Sequence, residues 1–230
     1  MKKMHIWTLI LMAFLSVAAV DRCFQAPTAV CAAYKINKEV AACTVKIDTS
    51  NGGGGSGIVV RMTDTVAQIV TAKHVVGTYK SVKVSYIDGM SGEVITALGK
   101  VVKVDPKADL ALVETMPVWG SAASVITKKQ YQRELTIYQQ CLISGYPVEV
   151  HTTHITSGML CDFNEGGLMR QSANAIYGNS GGGVFVQIDG KWRLVGVLVQ
   201  VWLLDGQRVH PLPHITFSVG PVALLEFLGD

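Results

Sequence analysis

The sequence predicts an all-β protein, and three observations carry that prediction. Short β-prone runs recur along most of the chain, separated by turn-forming residues. Hairpin-type turns, Asp88-Gly89 and Asp189-Gly190, fall between neighbouring runs. The composition, 49% hydrophobic and only 16% charged, suits a well-packed core and excludes a disordered chain. Runs of this length and spacing build a barrel or a sandwich.

In chain order, Lys2 and Lys3 precede an apolar run over residues 6–17, and Val17-Ala18-Ala19 supplies small residues for cleavage. Residues 1–19 therefore read as a signal peptide for export to the periplasm or the extracellular space, with an uncleaved N-terminal anchor as the alternative. The run is short for a membrane-spanning helix. Residues 20–40 lack clean periodicity and are read as an N-terminal arm. A first group of strands is expected at residues 43–47, 57–62, 66–71, 81–87, 94–104 and 110–114. A second is expected at residues 135–138, 141–145, 153–161, 167–171, 183–188, 192–201 and 214–219. Residues 115–129 join the groups, and residues 221–228 read as a closing amphipathic helix.

The net charge of +3 includes the two lysines of the signal, so the remainder is close to neutral. No basic cluster interleaved with aromatic residues is present, and nucleic acid is not an expected partner. Export permits disulfides. Cys141 and Cys161 lie at the outer ends of two strand-like runs, and a hairpin centred near His151 would set them opposite each other as a candidate disulfide. Free, partly buried thiols are the alternative. Among Cys23, Cys31 and Cys43 at most one pair can form. The histidine pairs His151/His154 and His210/His214 lack neighbouring ligands at metal spacing and read as solvated loop residues, so no metal is expected. The glycine run at residues 51–55 lacks the lysine and helix of a phosphate loop and reads as a flexible turn.

The chemistry concentrates in three segments. Tyr177-Gly178-Asn179-Ser180-Gly181-Gly182-Gly183 places a serine in a tight glycine turn just before a strand. Such a turn lets the N–H groups of Gly178 and Ser180 converge on one point, where an oxyanion would sit. A serine hydroxyl is a weak nucleophile and needs a base, which in turn needs an acidic partner. His74, ending the run Ile69-Val70-Thr71-Ala72-Lys73, and Asp109, opening the run Leu110-Ala111-Leu112-Val113, supply those two groups.

Thr71-Ala72-Lys73-His74, Asp109-Leu110-Ala111-Leu112 and Gly178-Asn179-Ser180-Gly181-Gly182 resemble the three catalytic motifs of trypsin-like serine peptidases, in the order His, Asp, Ser. Gly54-Gly55-Ser56-Gly57-Ile58-Val59-Val60, Thr156-Ser157-Gly158 and the segment from Ile215 to Val222 resemble the Deg/HtrA branch of that clan. The resemblance covers residues 41–230. It implies two six-stranded antiparallel β-barrels (residues 41–115 and 130–220), a catalytic cleft between them and a short C-terminal helix. The implied function is that of a serine endopeptidase acting on polypeptides through His74, Asp109 and Ser180, with no cofactor. The alternative is a silent or latent binding protein on the same fold.

Four departures from the family pattern qualify the expectation. Asn179 replaces the aspartate that pairs with a newly cut N-terminus in zymogen-activated relatives, so no dependence on such a cut is expected. Asn174, six residues before the serine, is the counted base of the primary specificity pocket, and Leu198, Val199 and Val201 are its wall. An uncharged pocket with an aliphatic wall favours small or medium apolar side chains. Val199 also falls where a hydroxyl often supports the aspartate, which leaves Asp109 to rely on backbone N–H groups around His74. The expected closing strand and helix use up the residues after Ser180, so no PDZ domain is expected within this sequence.

Overall fold

The computed structural model describes residues 38–87, 93–117, 120–148, 150, 152–164, 167–203 and 211–229. The expected signal peptide, most of the expected arm, Cys23, Cys31, His151 and His210 lie outside the described residues.

Strands β1 (Thr44–Asp48), β2 (Gly54–Met62), β3 (Ala67–Ala72), β4 (Ser81–Ile87), β5 (Val94–Asp105) and β6 (Leu110–Thr115) close a barrel in the order β1-β2-β3-β6-β5-β4. Strands β7 (Gln140–Gly145), β8 (His154–Phe163), β9 (Leu168–Gln171), β10 (Gly183–Ile188), β11 (Lys191–Leu203) and β12 (Pro211–Val219) close a second. Read from β7, its order β7-β8-β9-β12-β11-β10 repeats that of the first barrel. Closure pairs β1 with β4 and β7 with β10, so neither barrel presents an open edge. The inward faces are aliphatic: Val45, Ile47, Ile69, Val84 and Val113 in the first barrel, Ile143, Leu160, Met169, Val184 and Val195 in the second. A single helical turn, α1 (Lys73–Val76), follows β3. The closing helix α3 (Pro221–Leu228) starts with proline and ends at Gly229, in a left-handed conformation.

Two expectations are corrected. Residues 135–138 are not a strand: the chain forms helix α2 (Lys128–Glu134), and Tyr138 takes φ 64, which no strand accommodates. A capping box starts α2, with Thr127 Oγ1 accepting from Gln130 N at 3.2 Å and Gln130 Oε1 accepting from Thr127 N at 3.1 Å. The Cys141–Cys161 bridge is not formed. The β7–β8 register sets Gly158 opposite Cys141, and Cys161 stands at an irregularity of β8 between Leu160 and Asp162. Cys43, Cys141 and Cys161 are all free thiols.

Candidate active site

The barrels bring the three sequence-predicted groups to one region. β3 delivers the chain into α1, which carries His74, and β6 pairs with β3 so that Leu110 lies opposite Ala72. That register puts Asp109 beside α1. Asp109 takes φ 54, in the left-handed region that aspartate tolerates better than most side chains. Three hydrogen bonds hold it there. Its carbonyl accepts from Lys73 N at 2.9 Å, its Oδ1 accepts from His74 N at 2.9 Å, and its Oδ2 lies 2.7 Å from His74 Nδ1. An ionised carboxylate only accepts, so Nδ1 carries the hydrogen and Nε2 keeps a free lone pair. The backbone N–H of His74 thus provides the support that Val199, lacking a hydroxyl, cannot.

The serine turn is built around positions where only glycine fits. Gly178 has φ 93, and a Cβ there would stand 2.6 Å from the Tyr146 carbonyl oxygen. Gly181 has φ 82, and a Cβ there would stand 2.2 Å from the Ser56 carbonyl oxygen. Two carbonyls of the turn are tied down on defined partners. Tyr177 O accepts from Val148 N at 2.9 Å, and Asn179 O accepts from Gly182 N at 2.9 Å. In a trans peptide the N–H points opposite to the carbonyl. The N–H groups of Gly178 and Ser180 are therefore directed away from those partners. Asn179 itself is buried beneath the turn, and a Cβ on Gly145 would lie 2.7 Å from its Oδ1.

His74, Gly178 and Ser180 line one cleft of about 600 Å³. Leu198, Val199 and Val201 line it, joined by Gln200. Asn174 does not line it: buried Gln171, Ala173 and Ala175 alternate with exposed Ser172 and Asn174, which turns the asparagine outward. Val148, Ile176 and Tyr177 line the cleft instead, together with Gly52, Gly53 and Gly54. Sequence reasoning missed these residues. The signal was present in Ile176-Tyr177, two large apolar side chains set directly before a glycine turn. Cys43 and Cys141 are poor nucleophiles, since burial pushes both thiols up to about 12.

A model of the trypsin-like peptidase domain matches residues 55–197, more than half of the chain. The chain belongs to this family, a class of serine endopeptidases. Among solved structures, Deg5 is 21% identical with a TM-score of 0.64, over 84% of this chain and 90% of that one. The HtrA-type protease AlgW, solved with a decapeptide, is 17% identical with a TM-score of 0.66, over 84% of this chain. A serine endoprotease from Yersinia pestis is 18% identical with a TM-score of 0.67, over 85% of this chain. The match covers 65% of each of the last two chains. At these identities the likeness is one of fold. No curated protein matches the chain.

Proposed function

We propose that this endopeptidase cleaves polypeptides through Ser180 as nucleophile, His74 as general base and Asp109 as the group that orients it. The observation that carries the reading is the double attachment of Asp109 to His74 in the cleft that Ser180 also lines. His74 Nε2 takes the Ser180 proton as Oγ attacks the scissile carbonyl, and Asp109 stabilises the imidazolium. The tetrahedral oxyanion accepts hydrogen bonds from Gly178 N and Ser180 N, a contribution of about 3–4 kcal/mol in comparable sites. His74 then gives its proton to the leaving amine. Water, activated by the same histidine, hydrolyses the acyl-enzyme. Supporting the reading, the peptides that carry these two N–H groups are anchored through their carbonyls, with the N–H groups directed away from Val148 N and Gly182 N.

The cleft wall of Val148, Ile176, Leu198, Val199 and Val201 is aliphatic, and among its lining residues only His74 is ionisable apart from the Tyr177 phenol. The enzyme accordingly favours small or medium apolar side chains at the cleavage site. We read residues 1–19 as the signal that exports it, on the strength of the basic start, apolar run and small-residue exit. Turnover of casein by wild-type protein and its absence in Ser180→Ala tests the reaction. Equal turnover by both overturns it.

A further inference from the structure

Directly beneath the serine turn, Ser56 of β2 is fully buried and makes four hydrogen bonds. Three of them cross from the first barrel to the second. Ser56 N donates to Ser180 O at 2.7 Å, Ser56 Oγ donates to Gly178 O at 2.7 Å, and Ser56 Oγ accepts from Tyr146 N at 2.7 Å. The fourth, from Thr71 Oγ1 to Ser56 O at 2.6 Å, fixes Ser56 within its own barrel.

We infer that Ser56 is a positioning residue that sets the oxyanion donors of the second barrel from the first, an inference that rests on Ser180 being the nucleophile. The hydroxyl hydrogen of Ser56 fixes the carbonyl of Gly178, and its N–H fixes the carbonyl of Ser180. Its lone pair fixes Tyr146 at the head of the segment whose Val148 N–H holds the Tyr177 carbonyl. Asn179 O is held by Gly182 N. Each carbonyl from residue 177 to residue 180 thus has a defined partner, and Ser56 supplies or positions three of the four. In trans peptides the Tyr177 and Asn179 carbonyls set the Gly178 and Ser180 N–H directions, and Ser56 acts on these donors by fixing the adjoining peptides, which carry Gly178 O and Ser180 O, and by holding Tyr146. Gly145 leaves the room this needs, since a Cβ there would lie 2.9 Å from Ser56 Oγ.

A buried serine that merely satisfies its own hydrogen bonds would affect stability and leave catalysis by the folded enzyme alone. A positioning role moves kcat instead. Ser56→Ala removes the donor to Gly178 O and the acceptor for Tyr146 N, and kcat falls on the order of 10- to 100-fold, the scale of a small displacement of catalytic groups. KM stays nearly unchanged, because the lost interaction acts in the transition state. A peptide aldehyde, whose hemiacetal oxygen occupies the oxyanion position, loses affinity in parallel with kcat, while a non-covalent product peptide binds as before. Ser56→Cys keeps a weaker donor and acceptor at the same place and falls between serine and alanine; it carries the comparison where Ser56→Ala does not fold. Wild-type kcat in either variant, or equal losses for aldehyde and product, overturns the inference. Ser180→Ala, measured alongside, separates the failures. Retained turnover there removes the nucleophile reading and this inference with it. An inert Ser180→Ala beside a fully active Ser56→Ala removes the Ser56 role alone.

Discussion

Both carboxylate oxygens of Asp109 engage His74, Oδ2 at the ring Nδ1 and Oδ1 at the backbone N–H. One side chain therefore sets the tautomer of the imidazole and ties the helical turn that carries it to β6. In Asp109→Asn one of these two hydrogens faces an amide NH2 instead of an oxygen. Where the ring tautomer inverts, Nε2 can no longer take the serine proton, and kcat falls by about 10⁴-fold, as in comparable triads. Steady-state kinetics with a thermal melt checks this. A well-folded Asp109→Asn with near wild-type kcat contradicts it.

Glycine positions around the turn give a graded test of its geometry. Gly145→Ala puts a methyl group 2.7 Å from Asn179 Oδ1 and 2.9 Å from Ser56 Oγ. It should cost about 1–3 kcal/mol by overpacking, with kcat falling as well. Gly190→Ala, at a hairpin turn where a Cβ meets nothing within 4 Å, bears only the strain of its φ 71 and leaves kcat unchanged. Denaturant unfolding and kinetics of the pair distinguish local disturbance of the turn from general destabilisation.

Stability should decline in alkali for an identifiable reason. Desolvation pushes the Cys43 and Cys141 thiols from 9.0 up to about 12. As pH rises through 9 the unfolded chain gives up these protons while the folded chain keeps them, so the unfolded state binds fewer protons and stability falls. The contribution is complete below pH 9 and is lost by about pH 12. Denaturation midpoints measured across this window should drop, and less steeply in Cys141→Ala after correction for its cavity. At pH 8, iodoacetamide should modify partly exposed Cys161 in the folded protein and spare the other two until unfolding.

Much of this was legible in the sequence because the barrel strands announce themselves locally, through apolar alternation and hairpin turns such as Asp189-Gly190. The segments proposed to form the triad were legible because the candidate nucleophile Ser180, base His74 and acid Asp109 each stood beside a strand-like run. Register was harder to read. Cys141 and Cys161 sit on strands that do pair, but the number of residues spent in the intervening turn decides which residue lies opposite, and it is Gly158. Counting six back from Ser180 to Asn174 failed for a related reason: alternation along residues 171–175 turns that side chain outward. Ser56 looked like one more small residue in a glycine-rich strand, since its partners Gly178 and Tyr146 are 122 and 90 residues away.

The lining of the cleft makes a prediction about substrates. A peptide library profiled with the purified enzyme should show cleavage after small or medium apolar residues, with arginine and lysine disfavoured. Ile176→Asp, which places a carboxylate at an exposed residue of the cleft lining, should raise the relative kcat/KM for basic residues at that position. A wild-type preference for arginine contradicts the apolar reading.

The nucleophile assignment is tested most directly by fluorophosphonate labelling of the purified chain, followed by mass mapping of the modified peptide. The reagent reacts with a serine only where base and oxyanion donors are assembled around it. The account predicts a single modification on Ser180, lost in Ser180→Ala and strongly slowed in His74→Ala. A folded chain that remains unlabelled, or that is labelled at another residue, contradicts it.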